Sequence, residues 1–388
     1  MPWESPLLLK TLTHRLGAGW LAPLPADLDG PATLVLAFGA SAYAEQPAAF
    51  ADLAAAFPRS VLVGCSTSGE IAGIEVSDAS ISVAVARFER TALRLALTEV
   101  RGPGDSQAAG ARLAAQLPSE GLRAVFVLSD GLAVNGTALV EGLTGALPAG
   151  VAVTGGLAGD GSRFSSTWVL DRTVPRQRRI CAVGFYGEHL QVGHGCDGGW
   201  SDFGPERRIT RSQGNVLYEL DGQPALDLYK TYLGERAEGL PGTALLFPLA
   251  IKRPGATGEA LVRTILGIDE ATRSMTFAGD VPEGAVARLM RTSNDRLIDS
   301  ASHAVAQATR GLDAGRSPLV ISVSCVGRRL VLGERTEEEV ETVVEGSPAR
   351  AGHVGFYSYG EISPALGGGG ASELHNQTMT VTVLDEVC

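Results

Sequence analysis

The stretch Gly64–Glu70, GCSTSGE, decides the fold because its frame occurs again later in the chain. It follows the apolar run Ser60–Val63 and holds a thiol and three hydroxyl groups between two glycines, with a carboxylate directly after the second glycine. The same frame of glycine, four residues, glycine and glutamate returns at Gly355–Glu361 as GFYSYGE. A glycine-rich segment directly behind an apolar run is typical of the turn that ends a buried strand.

The elements around each turn also recur in the same order. In the first copy, the apolar run Thr33–Phe38 predicts a strand, and Phe50, Leu53 and Phe57 share one face of a helix. Ile81–Ala86 predicts the closing strand. The second copy contains strand 124–128, a helix with Leu139, Leu143 and Leu147, strand 151–154, turn 155–160 and strand 180–185. The third copy contains strand 319–323, helix 337–344, the turn GFYSYGE and strand 379–384.

This pattern predicts an α/β protein of two related halves built from repeated β-loop-α-β units, with mixed sheets covered by helices. The length of 388 residues favours two domains or one large α/β domain. Turns behind parallel strands meet at the carboxyl ends of the strands, where open α/β sheets bind ligands. We therefore expect a ligand cleft at the strand-end turns.

Composition excludes several classes of function. Hydrophobic residues make up 45% of the chain and charged residues 19%, and the net charge of −11 argues against a nucleic-acid or anionic-membrane surface. No run of about 18 apolar residues and no leader-like start is present. The five cysteines form no CxxC pair, which favours reduced thiols over disulfides or zinc. We expect a cytoplasmic protein.

Several stretches of the chain resemble the FIST proteins, in an order that matches that family. This resemblance implies an N-terminal arm at 1–29, a FIST N domain at 30–222 and a FIST C domain at 223–388, with the boundary at the turn-rich LDGQP. The stretches that carry it are GCSTSGEI, GGLAGD, SDFGPERRITRSQGNVLYELDGQPALDLYKTYLG, SCVGRRLVLG, GFYSYGEISP and ELHNQTMTVTVL.

The resemblance implies a sensory, signal-input role. FIST regions are intracellular sensory modules with small molecules such as amino acids as proposed ligands, and some FIST-type proteins look like haem-dependent nitric oxide sensors. In other proteins these regions are fused to kinase, cyclase or methyl-accepting segments, and no such segment is visible in this sequence. We therefore expect a binding protein rather than an enzyme, which signals through a separate partner such as a histidine kinase or a cyclase, or by forming a homo-oligomer.

The recurring acids and hydroxyl groups are the first candidate ligand-binding residues. Glu70, Asp160 and Glu361 end the three turns, and they either accept hydrogen bonds from neighbouring backbone N–H groups or bind a ligand's ammonium group. Small polar donors around glycine turns suit a carboxylate or a polar metabolite. At the same place lie Ser66, Thr67, Gly156 and Ser358.

Other candidates surround the third turn. Tyr357, Tyr359 and Asn376 combine phenol and amide groups, which favours recognition over proton transfer, although Asn376 could instead hold a loop in place. The stretch SCVGRR follows a strand and could place Arg328 or Arg329 near an anion, where arginine holds a carboxylate in a bidentate fork. The glycine run 367–370 could act as a lid.

Two alternatives depend on single side chains. Cys65 could act as the nucleophile of a hydrolase, but Phe356 takes its position in the third copy, so we interpret Cys65 as a pocket wall. A haem-binding sensor would need one axial histidine, for which His194 and His375 are the candidates. We predict no cofactor and no metal, because there is neither a CxxCH motif nor a cluster with metal-ligand spacing.

Overall fold

The first unit is a mixed sheet with one covering helix. The computed structural model describes residues 7–253, 255, 260–365 and 371–387, so the glycine run 367–370 lies outside the described residues. The strand order is β1, β7, β3, β4, and only β3 and β4 pair in parallel. Its elements are β1 (Leu8–Arg15), β2 (Gly19–Trp20), β3 (Thr33–Ala40), α1 (Ala48–Ala56), β4 (Val61–Thr67), β5 (Glu70–Ala72), β6 (Glu75–Ser77) and β7 (Ser80–Arg87).

The second unit repeats this order with β8, β13, β9 and β10, and its parallel pair is β9 with β10. Two helices cover it and pack closely on each other, since a Cβ atom on Gly142 of one would lie 2.0 Å from the Gln107 carbonyl oxygen of the other. Its elements are β8 (Ala92–Glu99), α2 (Ser106–Ala114), β9 (Leu122–Ser129), α3 (Gly136–Thr144), β10 (Ala152–Leu157), β11 (Val169–Asp171), β12 (Val174–Arg176) and β13 (Arg179–Tyr186).

The third unit again has this order, as β14 (Leu190–Asp197), β28, β24 and β25. A separate segment, the inserted subdomain, lies in the chain between β14 and α5. The subdomain comprises β15 (Ser201–Asp202), β16 (Arg207–Gln213), β17 (Val216–Leu220), β18 (Gln223–Pro224), α4 (Ala225–Leu233), β19 (Leu249–Lys252), β20 (Leu261–Arg263), β21 (Ile265–Asp269), β22 (Ser274–Phe277) and β23 (Val286–Arg291). The unit continues with α5 (Asn294–Ala308), β24 (Leu319–Cys325), α6 (Val326–Leu332), α7 (Thr336–Glu345), β25 (Gly352–Ser358), β26 (Gly360–Pro364), β27 (Ser372–His375) and β28 (Met379–Glu386).

The inserted subdomain has a sheet and an apolar core of its own. Its described strands form one nine-stranded arrangement, and Leu226, Tyr229, Met275 and Phe277 are buried between that sheet and α4. The expected domain boundary after residue 222 falls at the turn between β17 and β18, inside this subdomain. The subdomain is therefore a unit of packing whose two parts lie on either side of that boundary.

Each unit contributes a short strand to the sheet of another unit. Strand β5 of the first unit pairs with β25 of the third, β26 of the third pairs with β10 of the second, and β11 of the second pairs with β4 of the first. The exchange is cyclic, and the sheet of each of the three units therefore contains strands from two units. The repeated units, mixed sheets and covering helices predicted from the sequence are confirmed.

The three sheets share one apolar core, to which β3, β9 and β24 contribute Phe38, Phe126 and Ile321. Each parallel pair in this core depends on one glycine. A Cβ atom at that glycine would lie about 2 Å from a carbonyl oxygen of the neighbouring strand, closer than atoms can approach. The pairs are Gly64 with Ala37 at 2.1 Å, Gly155 with Val127 at 1.9 Å and Gly355 with Ser322 at 2.2 Å.

Candidate functional site

The three strand-end turns meet and bond to one another in a cycle. Each turn donates one backbone N–H to the next and accepts one from the previous turn, at equivalent positions in the three units. The bonds are Ser68 N–H to the Tyr357 carbonyl at 2.7 Å, Gly159 N–H to the Ser66 carbonyl at 2.9 Å and Tyr359 N–H to the Leu157 carbonyl at 3.2 Å. We call these residues, 66–68, 157–159 and 357–359, the turn cap, because they close one end of the shared core.

The space below the turn cap is filled by side chains. Cys65, Gly156 and Phe356 occupy the same register position in the three units, and the Phe356 ring packs on Phe38 with centroids 4.7 Å apart. A Cβ atom on Gly156 would lie 2.7 Å from Val323. Cys65 is fully buried, and this burial raises the pKa of its thiol well above the usual value. The thiol environment is the opposite of one that activates a nucleophile.

Glu70 and Glu361 have equivalent internal partners. Glu70 accepts hydrogen bonds from the Thr67 hydroxyl and from both the N–H and the hydroxyl of Ser80, the latter two at 3.0 Å. Glu361 accepts from the Ser358 hydroxyl at 2.6 Å and from the N–H and hydroxyl of Thr378 at 3.1 and 3.0 Å. Burial raises the pKa of each carboxyl group to about 7, although these bonds act in the opposite direction.

Asp160, the acid of the second turn, accepts hydrogen bonds from the backbone of the segment that follows it. Burial alone would raise the pKa of Asp160, but hydrogen bonds from the Tyr359 hydroxyl and from the backbone of Ser166 and Ser165 outweigh it and lower that pKa. In the second unit, Asp130 makes the connection to the closing strand that Glu70 and Glu361 make in the other two units. Asp130 follows β9 and accepts the N–H of Arg178, the residue before β13, at 2.9 Å. The spacing of the repeated turns did not indicate Asp130, because Asp130 follows β9, whereas the second turn lies at the end of β10.

Arg328 is fully engaged inside the protein. Its five N–H donors reach Glu339, the Ser300 hydroxyl and backbone carbonyls, with Nε 2.7 Å from Glu339 Oε1. Ser324 and Tyr357 donate to the other Glu339 oxygen. A ligand carboxylate would have to displace one of these partners to reach Arg328.

The sequence-predicted site residues all lie in the interior. The set comprises Cys65, Ser66, Thr67, Glu70, Gly156, Asp160, Arg328, Tyr357, Ser358, Tyr359, Glu361 and Asn376, and every member is buried. The turns of the three units bring most of them together around the turn cap. Asn376 lies between β27 and β28, and its amide nitrogen and oxygen have no hydrogen-bond partner among the described residues.

The two candidate haem ligands differ in environment. His375 is 1% exposed, its Nε2 lies 3.2 Å from the Ser363 carbonyl oxygen, and burial lowers its pKa to about 4. A ring enclosed in this way does not fit the axial position of a haem. His194 is half-buried on β14, and burial lowers its pKa as well. Neither histidine lines the cleft that lies beside the turn cap.

The described part of the chain holds neither a metal cluster nor a membrane-spanning helix. Across 7–253, 255, 260–365 and 371–387, no three histidine, cysteine or acidic side chains are grouped so that they could hold a metal ion. Within the same ranges no helix has both the length and the apolar character needed to cross a bilayer. The four described cysteines, Cys65, Cys181, Cys196 and Cys325, are buried free thiols.

A cleft of about 540 Å³, the turn cleft, lies directly beside the turn cap. Ser68 of the first turn and residues 161–163 of the second form one side, and α6 with the start of α7 forms the other. Ser68 fixes the junction of the two turns, because its hydroxyl accepts the Gly161 N–H at 3.1 Å. The volume lies within the range of small-molecule sites.

Arg329 is the most ordered charged group of the turn cleft. Its guanidinium donates to the Ser68 carbonyl at 2.6 Å and bidentately to Asp78, with Nη2 2.8 Å from Oδ2. It also lies over the Tyr357 ring, 5.5 Å from the centroid, and against Gly69, where a Cβ atom would lie 2.6 Å from Nη1. The backbone, the aromatic ring and the glycine fix this cation in place.

Charges of both signs line the turn cleft. Arg163 and Arg329 supply cations, and Asp78, Glu334 and Glu337 supply carboxylates. Val76 and Leu330 add apolar surface, and Leu330 is 45% exposed. The sequence indicated Arg329 as an alternative to Arg328 in SCVGRR, and no pattern indicated Asp78 or Arg163.

These features define an α/β protein of three cyclically connected β-loop-α-β units with one inserted subdomain. The chain belongs to the FIST family: the FIST N domain model matches residues 33–223 and the FIST C domain model matches residues 225–364. Domains of this family are associated with sensory signal transduction.

Two kinds of individual relatives are found. A protein of Methanocaldococcus jannaschii named "Uncharacterized protein MJ1623" is 22% identical over 210 residues, which are 50% of this chain and 39% of that protein. Two solved structures of cyanuric acid hydrolase, one of them from A. caulinodans, align over 98% of this chain and 100% of theirs. Their identities are 11% and 10% and their TM-scores 0.35 and 0.36, values too low to bear on fold or activity.

Proposed function

We propose that this chain is a cytoplasmic signal-input protein that binds a small zwitterionic metabolite, an amino acid or a close relative, in the turn cleft. Binding occurs without catalysis and without a bound cofactor. The observation that carries this proposal is Arg329, a fixed guanidinium on a cleft of metabolite size. A guanidinium fork matches the two oxygens of a carboxylate.

The remaining lining of the cleft complements the other parts of such a ligand. Glu334 and Glu337 lie on the same cleft and suit an ammonium group, while Val76 and Leu330 suit an aliphatic side chain. Burial of the Cys65 thiol, with its raised pKa, favours a binding role over a cysteine-dependent hydrolase. The free cysteines suit a reducing compartment.

The signal leaves through a separate protein, such as a histidine kinase or a cyclase, or through self-association. The net charge of −11 disfavours nucleic acid and anionic membranes as partners. The family's association with sensory signal transduction supports the signalling role.

A thermal-shift screen with the twenty standard L-amino acids tests the proposal. We expect at least one to raise the melting temperature of the wild type, because a ligand at 100 times its Kd adds about 2.7 kcal/mol to native stability. Arg329→Gln should abolish that shift. Arg112→Gln is the matched control, since it removes another bidentate Arg–Asp pair, with Asp105, outside the turn cleft.

Two results would count against the proposal. The first is a screen in which no amino acid shifts the melting temperature of the wild type. The second is an amino acid that stabilises wild type and Arg329→Gln equally, which would move the binding site away from Arg329.

A further inference from the structure

We infer that Asp78 is a built-in competitor for the ligand's carboxylate. The Asp78 carboxylate accepts two hydrogen bonds from the Arg329 guanidinium. Ligand binding would displace Asp78 from Arg329 and release the turn between β6 and β7. This inference rests on the function proposed above and adds to it a mechanism by which the bound state differs from the free state.

The two partners of this ion pair are held very differently. Arg329 is 21% exposed, and besides Asp78 it contacts the Ser68 carbonyl, to which it donates a hydrogen bond, and the Tyr357 ring. Asp78 is 70% exposed, and within the described chain its carboxylate accepts hydrogen bonds from Arg329 only. The cation is therefore preorganised, and the carboxylate is the exchangeable partner.

The energetics allow exchange. Asp78 is 70% exposed, so water and salt screen the ion pair and reduce its contribution to stability. A ligand carboxylate would make the same bidentate contact and would add contacts of its own to Glu334, Glu337 and Leu330 on the cleft wall. Displacement costs the protein little and is outweighed by these added contacts.

Release of Asp78 would affect the third unit through a short series of contacts. Ser80, two residues later, donates both its N–H and its hydroxyl to Glu70. Strand β6 pairs with β5, and β5 pairs through Glu70 with Phe356 of β25. The turn that carries Asp78 is thus part of the hairpin by which the first unit joins the third, so its release alters a surface that spans both.

A binding comparison of wild type, Asp78→Asn and Asp105→Asn tests this inference. The probe is whichever standard L-amino acid gives the largest thermal shift, with Kd measured by titration calorimetry. We expect Asp78→Asn to bind about two to five times more tightly, which corresponds to removal of a pair of up to about 1 kcal/mol. Asp105→Asn, which breaks the exposed pair with Arg112, should bind as wild type does.

Hydrogen exchange supplies the second readout. Amides of residues 76–80 should exchange faster when the amino acid binds to the wild type, and should already exchange faster in unliganded Asp78→Asn. Equal Kd values for wild type and Asp78→Asn would overturn the role of Asp78 and leave the proposed function standing. Weaker binding by Asp78→Asn would also overturn it, because Asp78 would then contact the ligand. If neither protein binds any amino acid, both the inference and the proposed function fail.

Discussion

At the residue scale, the acids behind the turns act first as internal acceptors. Glu70 and Glu361 each receive three hydrogen bonds from a hydroxyl in their own turn and from the residue that begins or precedes the closing strand. They join the turn to the last strand of the unit. Their binding of a ligand's ammonium group stays a prediction, as does the ligand-binding role of the other buried site residues.

The raised pKa of Glu361 makes stability depend on pH. Because burial raises this pKa to about 7 from 4.5, the folded chain keeps a proton that the unfolded chain loses as pH rises through 4.5. This component of stability is present at low pH and is lost as pH rises towards 7. We expect Glu361→Gln to remove it, so that between pH 5 and pH 8 the variant loses about 2 to 3 kcal/mol less free energy of unfolding than wild type.

Urea denaturation at the two pH values measures this difference. Glu70→Gln should behave in the same way, because burial also raises the pKa of Glu70 to about 7. Identical pH dependence in wild type and both variants would contradict the assignment of these two carboxyl groups.

At the element scale, the parallel strand pairs depend on glycines whose position tolerates no side chain. A Cβ atom on Gly64 would lie 2.1 Å from the Ala37 carbonyl oxygen. We expect Gly64→Ala to lower the free energy of unfolding by about 2 to 4 kcal/mol, because backbone must move to relieve the overlap. Gly104→Ala is the control, since no atom lies within 4 Å of its added Cβ, and its stability should stay within about 0.5 kcal/mol of wild type. Equal stability of the two variants in chemical denaturation would contradict this packing.

The elements that sequence could predict are those with local patterns. The apolar runs of β3, β4 and β7 and of their equivalents in the other two units were visible, as were the helix faces of α1, α3 and α7, because elements that pack on one core repeat their spacing. The strands β1, β8 and β14 and the helices α2, α5 and α6 were not predicted. The exchanged strands β5, β11 and β26 were not visible either, because their partners are distant in sequence and their three to five residues carry no periodicity of their own. The inserted subdomain was also missed as a separate unit, since its short strands lie within the region that the motifs assign to both halves.

The candidate site was also predictable from the sequence only in part. The turns and their convergence followed from the repeated GxxxxGE frame, since equivalent strand ends meet at one edge. The cleft itself depends on which side of a turn faces out, and the spacing does not give that. Ser68 and Arg329 line the cleft, whereas their immediate neighbours Thr67 and Arg328 point into the core.

At the scale of the whole molecule, the cyclic strand exchange joins the FIST N and FIST C regions in shared sheets. Strand β10 of the first region pairs with β26 of the second, and β25 of the second pairs with β5 of the first. We expect one cooperative thermal transition, in which the calorimetric enthalpy equals the van't Hoff enthalpy. A fragment of residues 223–388 alone should not fold, because β25, β26 and β28 would lose their partners β5, β10 and β14. The inserted subdomain would also lose β15, β16 and β17 from its sheet. Two resolved transitions, or a folded fragment, would contradict this coupling.

The central claim, that a small zwitterion binds beside the turn cap through Arg329, is tested most directly by a crystal structure with the most stabilising amino acid bound. We expect ligand density between Ser68, Gly161 and Arg329, with the ligand carboxylate on the Arg329 guanidinium and Asp78 turned away from it. Density at another place would contradict the claim, for example in the groove at the amino ends of β3 and β25, which is lined by Arg59, Arg87 and Arg316.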